Sequence, residues 1–116
     1  MSEEETQQKI QKMQLLEQSL QNFSMQKQQF QSQMIEVDSA LKELENAKEA
    51  YKIVGNIMIS SDKEKLKEEL KDKKERLELR IKTIEKQEKS IKEKSKDMQA
   101  EVMASMGKKN GRKSED

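Results

Sequence analysis

Apolar residues in the first half of the chain recur at alternating intervals of three and four residues. The series is Met13, Leu16, Leu20, Phe23, Lys27, Phe30, Met34, Val37, Leu41 and Leu44, with Lys27 as its one polar member. This spacing is typical of a coiled-coil seam, because it keeps one side of a helix against a partner helix. It predicts a first helix over residues 6–50.

The second half carries a thinner pattern with a strict sevenfold repeat. The repeat consists of Leu70, Leu77, Ile84, Ile91 and Met98, with Leu66, Ile81 and Val102 beside it. Ser61-Asp62-Lys63-Glu64 has the form of a capping box, which favours a helix start. Gly107 is a natural helix stop. The pattern predicts a second helix over residues 62–106 and a disordered tail over residues 107–116.

The two predicted helices have similar lengths, so they can pair as an antiparallel hairpin. Pairing Leu44 with Leu70 and moving seven residues at a time gives five apolar layers in one register. The alternate layers of that register pair Leu41 with Lys73, Met34 with Arg80, Lys27 with Gln87 and Leu20 with Lys94. Long polar side chains can lay their aliphatic stems along such a seam. We therefore expect a mainly α fold, a long antiparallel helical hairpin, as one domain over residues 1–116.

The segment between the helices, AYKIVGNIMISSD, is rich in apolar residues. Gly55-Asn56 suits a two-residue type II′ loop, which predicts a β-hairpin over residues 51–60 with Val54 opposite Ile57. Both faces would be apolar, through Tyr51, Ile53, Val54, Ile57, Met58 and Ile59. An isolated hairpin of this kind is marginal in water, and its open edges favour oligomerisation. The alternative is a local cap folded onto its own helices.

The amino-acid composition limits the classes of structure that this chain can form. Of 116 residues, 31% are hydrophobic and 41% are charged, which is too little apolar volume for a compact globular core. A disordered polyampholyte is the alternative to a coiled coil, although the chain has no proline and only three glycines. The net charge of +1 does not favour nucleic-acid binding. No apolar run is long enough for a membrane span, and we expect a cytoplasmic protein.

Groups for catalysis are scarce. The chain has no histidine and no cysteine, and its carboxylates lie on helix faces that we expect to be solvated. No phosphate-binding loop or nucleophile motif occurs. We therefore expect no enzyme, no metal site and no cofactor.

Methionine is frequent, with eight residues. In the predicted hairpin, Met1 and a set of apolar residues gather at the open end. The set consists of Ile10, Met13, Leu15, Met98, Val102, Met103 and Met106. Methionine suits surfaces that accept many shapes. The cluster is either an adaptable binding surface or a pair of frayed ends with incidental methionines.

Two segments, AYKIVGNIMI and LKEELKDKKERLELRIKTIEKQEKSI, resemble the archaeal beta class of prefoldin subunits. The resemblance runs from about residue 8 to residue 106, and the space between the helices fits the single β-hairpin of that class. It implies an ATP-independent chaperone. In the family, two alpha-class and four beta-class subunits join their hairpins into a double β-barrel, and the coiled-coil ends hold non-native proteins for a group II chaperonin.

Carried to this chain, the resemblance implies oligomerisation through residues 51–60. Client binding would fall to the open end, and Lys108, Lys109, Arg112 and Lys113 are candidates for contact with a chaperonin. The partners would then be other prefoldin subunits, non-native proteins and the chaperonin, with no nucleic acid and no membrane. The alternative function is a passive coiled-coil scaffold or tether with inert ends.

Overall fold

The computed structural model describes the backbone of residues 2–115 and the side chains of residues 2–107. Its elements are α1 (Glu3–Asn46), β1 (Ala50–Val54), β2 (Ile57–Ser61) and α2 (Lys63–Glu115). Two long antiparallel helices flank one β-hairpin, which confirms the predicted fold class and excludes the disordered alternative. One compact unit is Gln26–Thr83, and the other combines residues up to Met25 with those from Ile84 onward.

Helix α1 begins earlier and ends earlier than its pattern predicts. The Glu5 backbone N–H donates to Ser2 Oγ at 3.2 Å, so Ser2 caps the first turn and the helix begins at Glu3. Its end is at Asn46, and Ala50 belongs to β1. Every position of the predicted α1 seam from Met13 to Leu44 is half-buried or buried.

Helix α2 has a different N-cap and a later end than the sequence predicts. Ser61 closes β2, and Asp62 Oδ1 accepts a hydrogen bond from the Glu64 N–H at 3.3 Å. The helix continues through Gly107 to Glu115, so the predicted stop at Gly107 is wrong. An interior glycine costs only about 1 kcal/mol relative to alanine, and the surrounding residues favour the helix. The side chains of the predicted tail from Lys108 onward lie outside the described residues.

The inward face of α2 carries a second row of residues that the sevenfold repeat misses. In the unit Gln26–Thr83, Lys74 is half-buried and Ile81 is buried, while the predicted Lys73 and Arg80 are exposed. In the other unit the inward positions are Glu88, Ser95 and Val102, and Gln87 and Lys94 are exposed. The predicted alternate layers are therefore wrong by one residue on α2. A seam alternates steps of three and four, so a three-residue step on α1 meets a four-residue step on its antiparallel partner.

Polar contacts across the helix pair accompany this packing. Lys74 Nζ lies 2.8 Å from Asp38 Oδ1, and this hydrogen bond and charge attraction raise the pKa of Lys74 above its ordinary value. The Arg80 guanidinium lies 5.6 Å from the centre of the Phe30 ring. In the other unit, Lys9 forms an ion pair with Glu101. These pairs join residues far apart in sequence, as an antiparallel arrangement requires.

Candidate functional site

The β-hairpin has the predicted strand register. Val54 lies opposite Ile57, Ile53 opposite Met58 and Lys52 opposite Ile59. Gly55 has φ +61°, and no non-glycine residue in the described chain has a positive φ. Only the first central residue of the loop therefore has a positive φ, as a type II′ turn requires. The backbone twist of this turn matches the right-handed twist of the two flanking strands.

Both faces of the hairpin are exposed. Cross-strand pairs share a face, so Val54, Ile57 and Ile59 lie on one face and Tyr51, Ile53 and Met58 on the other. The exposed fractions of these six side chains range from 46% at Ile59 to 69% at Ile53. A hairpin packed as a cap on its own helices would bury one of its faces. The structure contradicts that alternative, and it leaves two apolar surfaces and two strand edges accessible.

Polar contacts hold the base of the hairpin. Lys52 Nζ lies 3.1 Å from Glu69 Oε2 on α2, and Ala50 is buried at the start of β1. The Tyr51 hydroxyl donates a hydrogen bond of 2.6 Å to Glu49 Oε2, and this bond raises the pKa of Tyr51 above its ordinary value. The contact between Lys52 and Glu69 thus ties the base of the hairpin to α2.

An open cleft of about 800 Å³ lies where the hairpin meets the helices. Tyr51 and Ile53 line it from β1, and Leu44 and Leu70 line it from the helices. Charged residues, Glu69 among them, also line the cleft. A side chain that enters this cleft would therefore meet both apolar and charged lining residues.

The seven predicted client-binding residues fall in one compact unit, but their accessibility differs. Leu15, Met103 and Met106 are 62%, 64% and 53% exposed, and Ile10 is 37% exposed. Met13 and Met98 are half-buried. Val102 is 7% exposed because it occupies the second row of the seam, so it is packed between the helices and is not accessible for binding. Met1 and the side chains of Lys108, Lys109, Arg112 and Lys113 lie outside the described residues.

Among the described residues, three further large apolar residues are exposed that the sequence pattern did not predict to be functional. Met25, Ile35 and Leu79 are 63%, 67% and 65% exposed. Each lies away from the seam spacing of its helix, and that offset is the signal that could have identified them. Isolated apolar residues on a surface are common and define no site by themselves.

The described residues contain no group of three or more histidine, cysteine or carboxylate side chains arranged to hold a metal ion. None of their helices combines the length and the apolar character needed to cross a membrane. Every buried side-chain nitrogen and oxygen among them has a hydrogen-bond partner.

The fold and the hairpin match a known class of proteins. Residues 7–109 match the protein-family model described as "Prefoldin subunit". The prefoldin beta subunit of Thermococcus onnurineus is 39% identical over 93 residues, covering 78% of this chain and 80% of that one. The beta subunit of Saccharolobus islandicus is 38% identical over 101 residues, covering 84% and 80%.

A solved structure is also similar. The crystal structure of the prefoldin beta subunit from Thermococcus strain KS-1 superposes with a TM-score of 0.82 and 34% identity, covering 87% of this chain and 91% of that chain. The chain belongs to the prefoldin family, and within that family to the beta subunits. It is a non-enzymatic chaperone subunit with a coiled-coil helical hairpin, which implies a place in a prefoldin complex.

Proposed function

We propose that this chain is an ATP-independent holdase subunit of the cytoplasm. It joins an alpha-class subunit and further beta-class copies in a hexamer through its β-hairpin. The ends of its helix pair bind non-native proteins, and the complex delivers them to a group II chaperonin. The observation that carries the proposal is the exposure of six apolar side chains on both faces of one hairpin, between 46% and 69%.

The exposed hairpin supplies a driving force for oligomerisation. Burying a large apolar side chain completely contributes about 1.5–3 kcal/mol. Roughly half of each of the six side chains is still accessible, so covering them contributes about 6 kcal/mol per subunit. The unpaired edges of β1 and β2 can add hydrogen bonds to neighbouring strands. Together these terms oppose the entropy lost when subunits associate.

Client binding needs reversible, non-covalent contacts. Leu15, Met103 and Met106 can each contribute about 1 kcal/mol when a client covers their exposed halves. One such end binds weakly, but several ends on one complex raise the effective concentration of the second and third contacts. Methionine side chains adapt to clients of different shapes. This arrangement supports reversible capture, whereas a passive scaffold would need no accessible apolar ends.

The assembly step is tested by Ile53→Glu combined with Ile57→Glu, which places a charge on each face of the hairpin. We expect the complex to dissociate to monomers or dimers in light-scattering mass measurements, with helical circular dichroism retained. The matched control is Ile35→Glu combined with Leu79→Glu, because these residues are equally exposed but lie on the helices. An oligomer of unchanged mass in the hairpin variant would show that the hairpin is not the interface.

The client step is tested by Leu15→Ser, Met103→Ser and Met106→Ser together. We expect the assembled variant to lose most of its suppression of light scattering by an unfolding client protein. The control is Ile35→Ser with Leu79→Ser, which removes two equally exposed apolar side chains from the other compact unit. If the triple variant protects the client as well as the unmodified complex does, the ends are inert and the scaffold function is the better description.

A further inference from the structure

The β-hairpin contains one methionine, Met58, in the middle of β2. Its side chain is 65% exposed, and it lies opposite Ile53 on the face that also carries Tyr51. The chain has no cysteine, so the thioether groups of its eight methionines are its only sulfur atoms. A reagent that oxidises sulfur can therefore modify the hairpin only at Met58.

Two methionines on the helices have almost the same exposure as Met58. Met25 on α1 is 63% exposed, and Met103 on α2 is 64% exposed. By contrast, Met34 and Met98 are half-buried. Because access of the reagent to the sulfur depends on exposure, we expect Met58, Met25 and Met103 to oxidise at similar rates in a chain that has not associated. These two helix residues are therefore internal standards for the hairpin residue.

We propose that Met58 is a modification site for peroxides, and that oxidation of its thioether to a sulfoxide blocks assembly of the free subunit. The sulfur lone pair attacks one oxygen of hydrogen peroxide, the O–O bond breaks, and an S=O bond forms. The sulfur is oxidised and the peroxide is reduced. The proton on the transferred oxygen passes to the leaving hydroxide, which departs as water. This inference rests on the proposed assembly through the hairpin and adds a chemical control to it.

The sulfoxide places a strong hydrogen-bond acceptor on an apolar face. In the free subunit, water satisfies this oxygen because Met58 is exposed. A neighbouring subunit that covers the face removes that water. Ile53, directly across the strand pair, has no side-chain donor, and the Tyr51 hydroxyl already donates to Glu49 Oε2. An acceptor left unpaired in an apolar contact opposes association.

Assembly should in turn protect Met58 from oxidation. Once a neighbouring subunit covers the hairpin, peroxide no longer has access to the sulfur, so assembled complexes stay intact while free subunits are modified. Methionine sulfoxide reductases convert the sulfoxide back to the thioether, so the block is reversible. A peroxide would then stop the formation of new complexes without dissociating existing ones.

The test uses the full chain at a concentration at which light scattering shows it unassembled. It is treated with hydrogen peroxide, the peroxide is removed, and an alpha-class prefoldin subunit is added. Peptide mass spectrometry measures the sulfoxide at each methionine, and light scattering measures complex mass. We expect oxidation to weaken association at least about tenfold. In a preformed complex, Met58 should oxidise much more slowly than Met25 and Met103.

Met58→Leu removes the sulfur while keeping the volume and apolar character of the side chain. It should assemble both before and after peroxide treatment. The matched control is Met25→Leu, which removes an equally exposed thioether from α1 and should lose assembly on oxidation as the unmodified chain does.

A second measurement uses no variant. Both methionine sulfoxide reductases, with dithiothreitol as the reductant, should restore the Met58 thioether and the complex mass of the oxidised chain. The sulfoxide oxygen leaves as water and dithiothreitol is oxidised to its disulfide. The chain has no cysteine on which dithiothreitol could act.

Two results would overturn the proposal: normal association of a chain whose Met58 is fully oxidised, or equal loss of association on oxidation of Met58→Leu. A complex mass that stays low after the Met58 thioether is restored would also reject it. If Ile53→Glu with Ile57→Glu dissociates the complex but oxidised Met58 does not, the hairpin remains the interface and only the role of Met58 is rejected. If neither change affects complex mass, assembly through the hairpin is rejected as well.

Discussion

Replacing Ile81 by alanine tests which residues of α2 form its second inward row. Ile81 is 9% exposed, while the adjacent Arg80, which the sevenfold repeat predicts at this layer, is exposed. Truncating a buried isoleucine removes its transfer free energy and leaves a cavity, at a cost of about 2–4 kcal/mol. A helix pair can partly close such a gap, so we expect a value near the lower limit. For a chain of this size it corresponds to a decrease in Tm of roughly 10 °C.

Two neighbouring variants serve as controls. Leu79→Ala removes a side chain that is 65% exposed, so its effect on the free energy of unfolding should stay within about 0.5 kcal/mol. Arg80→Ala removes the contact of the guanidinium with the Phe30 ring, which is worth about 0.5–1 kcal/mol at an exposed site. All three variants keep a good helix former at the changed position.

The assay is urea unfolding followed by circular dichroism at 222 nm, with every variant at the same protein concentration because oligomerisation couples to stability. The expected order of destabilisation is Ile81→Ala, then Arg80→Ala, then Leu79→Ala. Larger destabilisation by Arg80→Ala than by Ile81→Ala would refute the alternating register and restore the strict sevenfold one.

Three other outcomes follow from the backbone and from Tyr51. Gly55→Ala should destabilise the hairpin by about 1–2 kcal/mol, because φ +61° strains any residue with a Cβ, and thermal dissociation of the complex would measure it. Gly107→Ala should stabilise α2 by up to about 1 kcal/mol, since nothing lies within 4 Å of the added Cβ; a lower Tm would contradict a helical Gly107. Tyr51 is the only tyrosine, so ultraviolet titration reports its pKa alone, and Glu49→Gln should lower that pKa. Because folding raises the pKa of Tyr51, the hydrogen bond contributes fully to stability below pH 10.0, and this contribution is lost as pH rises through the folded pKa. An unchanged Tyr51 titration in Glu49→Gln would contradict the hydrogen bond.

The apolar residues of this chain divide between two tasks, and their exposure separates them. Val37, Leu44, Leu77 and Ile84 are at most 8% exposed and hold the helices together. The six hairpin residues are at least 46% exposed, so they contribute little to the stability of an isolated chain. Substitutions in the first group should therefore act on helix unfolding, and those in the second on oligomer mass.

Local pattern alone was sufficient to predict the seam of α1 and the strand register of the β-hairpin. The seam from Met13 to Leu44 follows one 3-4 spacing, and Gly55-Asn56 specifies a loop whose geometry sets the strand register. In both cases the information lies within a few neighbouring residues, since helix periodicity and turn type are properties of the local backbone. The hairpin segment AYKIVGNIMI, together with the run LKEELKDKKERLELRIKTIEKQEKSI on α2, carried the resemblance to beta-class prefoldin subunits.

The tertiary structure decided how α2 uses its residues and where the helices end. Lys74 and Val102 face inward because the steps of α1 determine which side of its partner is covered, and a sparse apolar pattern on α2 does not reveal that side. The continuation of α2 through Gly107 depends on the balance between a small local cost and the helix around it. Exposure of the hairpin likewise required the fold, because an apolar sequence has the same composition whether its own chain or a neighbouring subunit covers it.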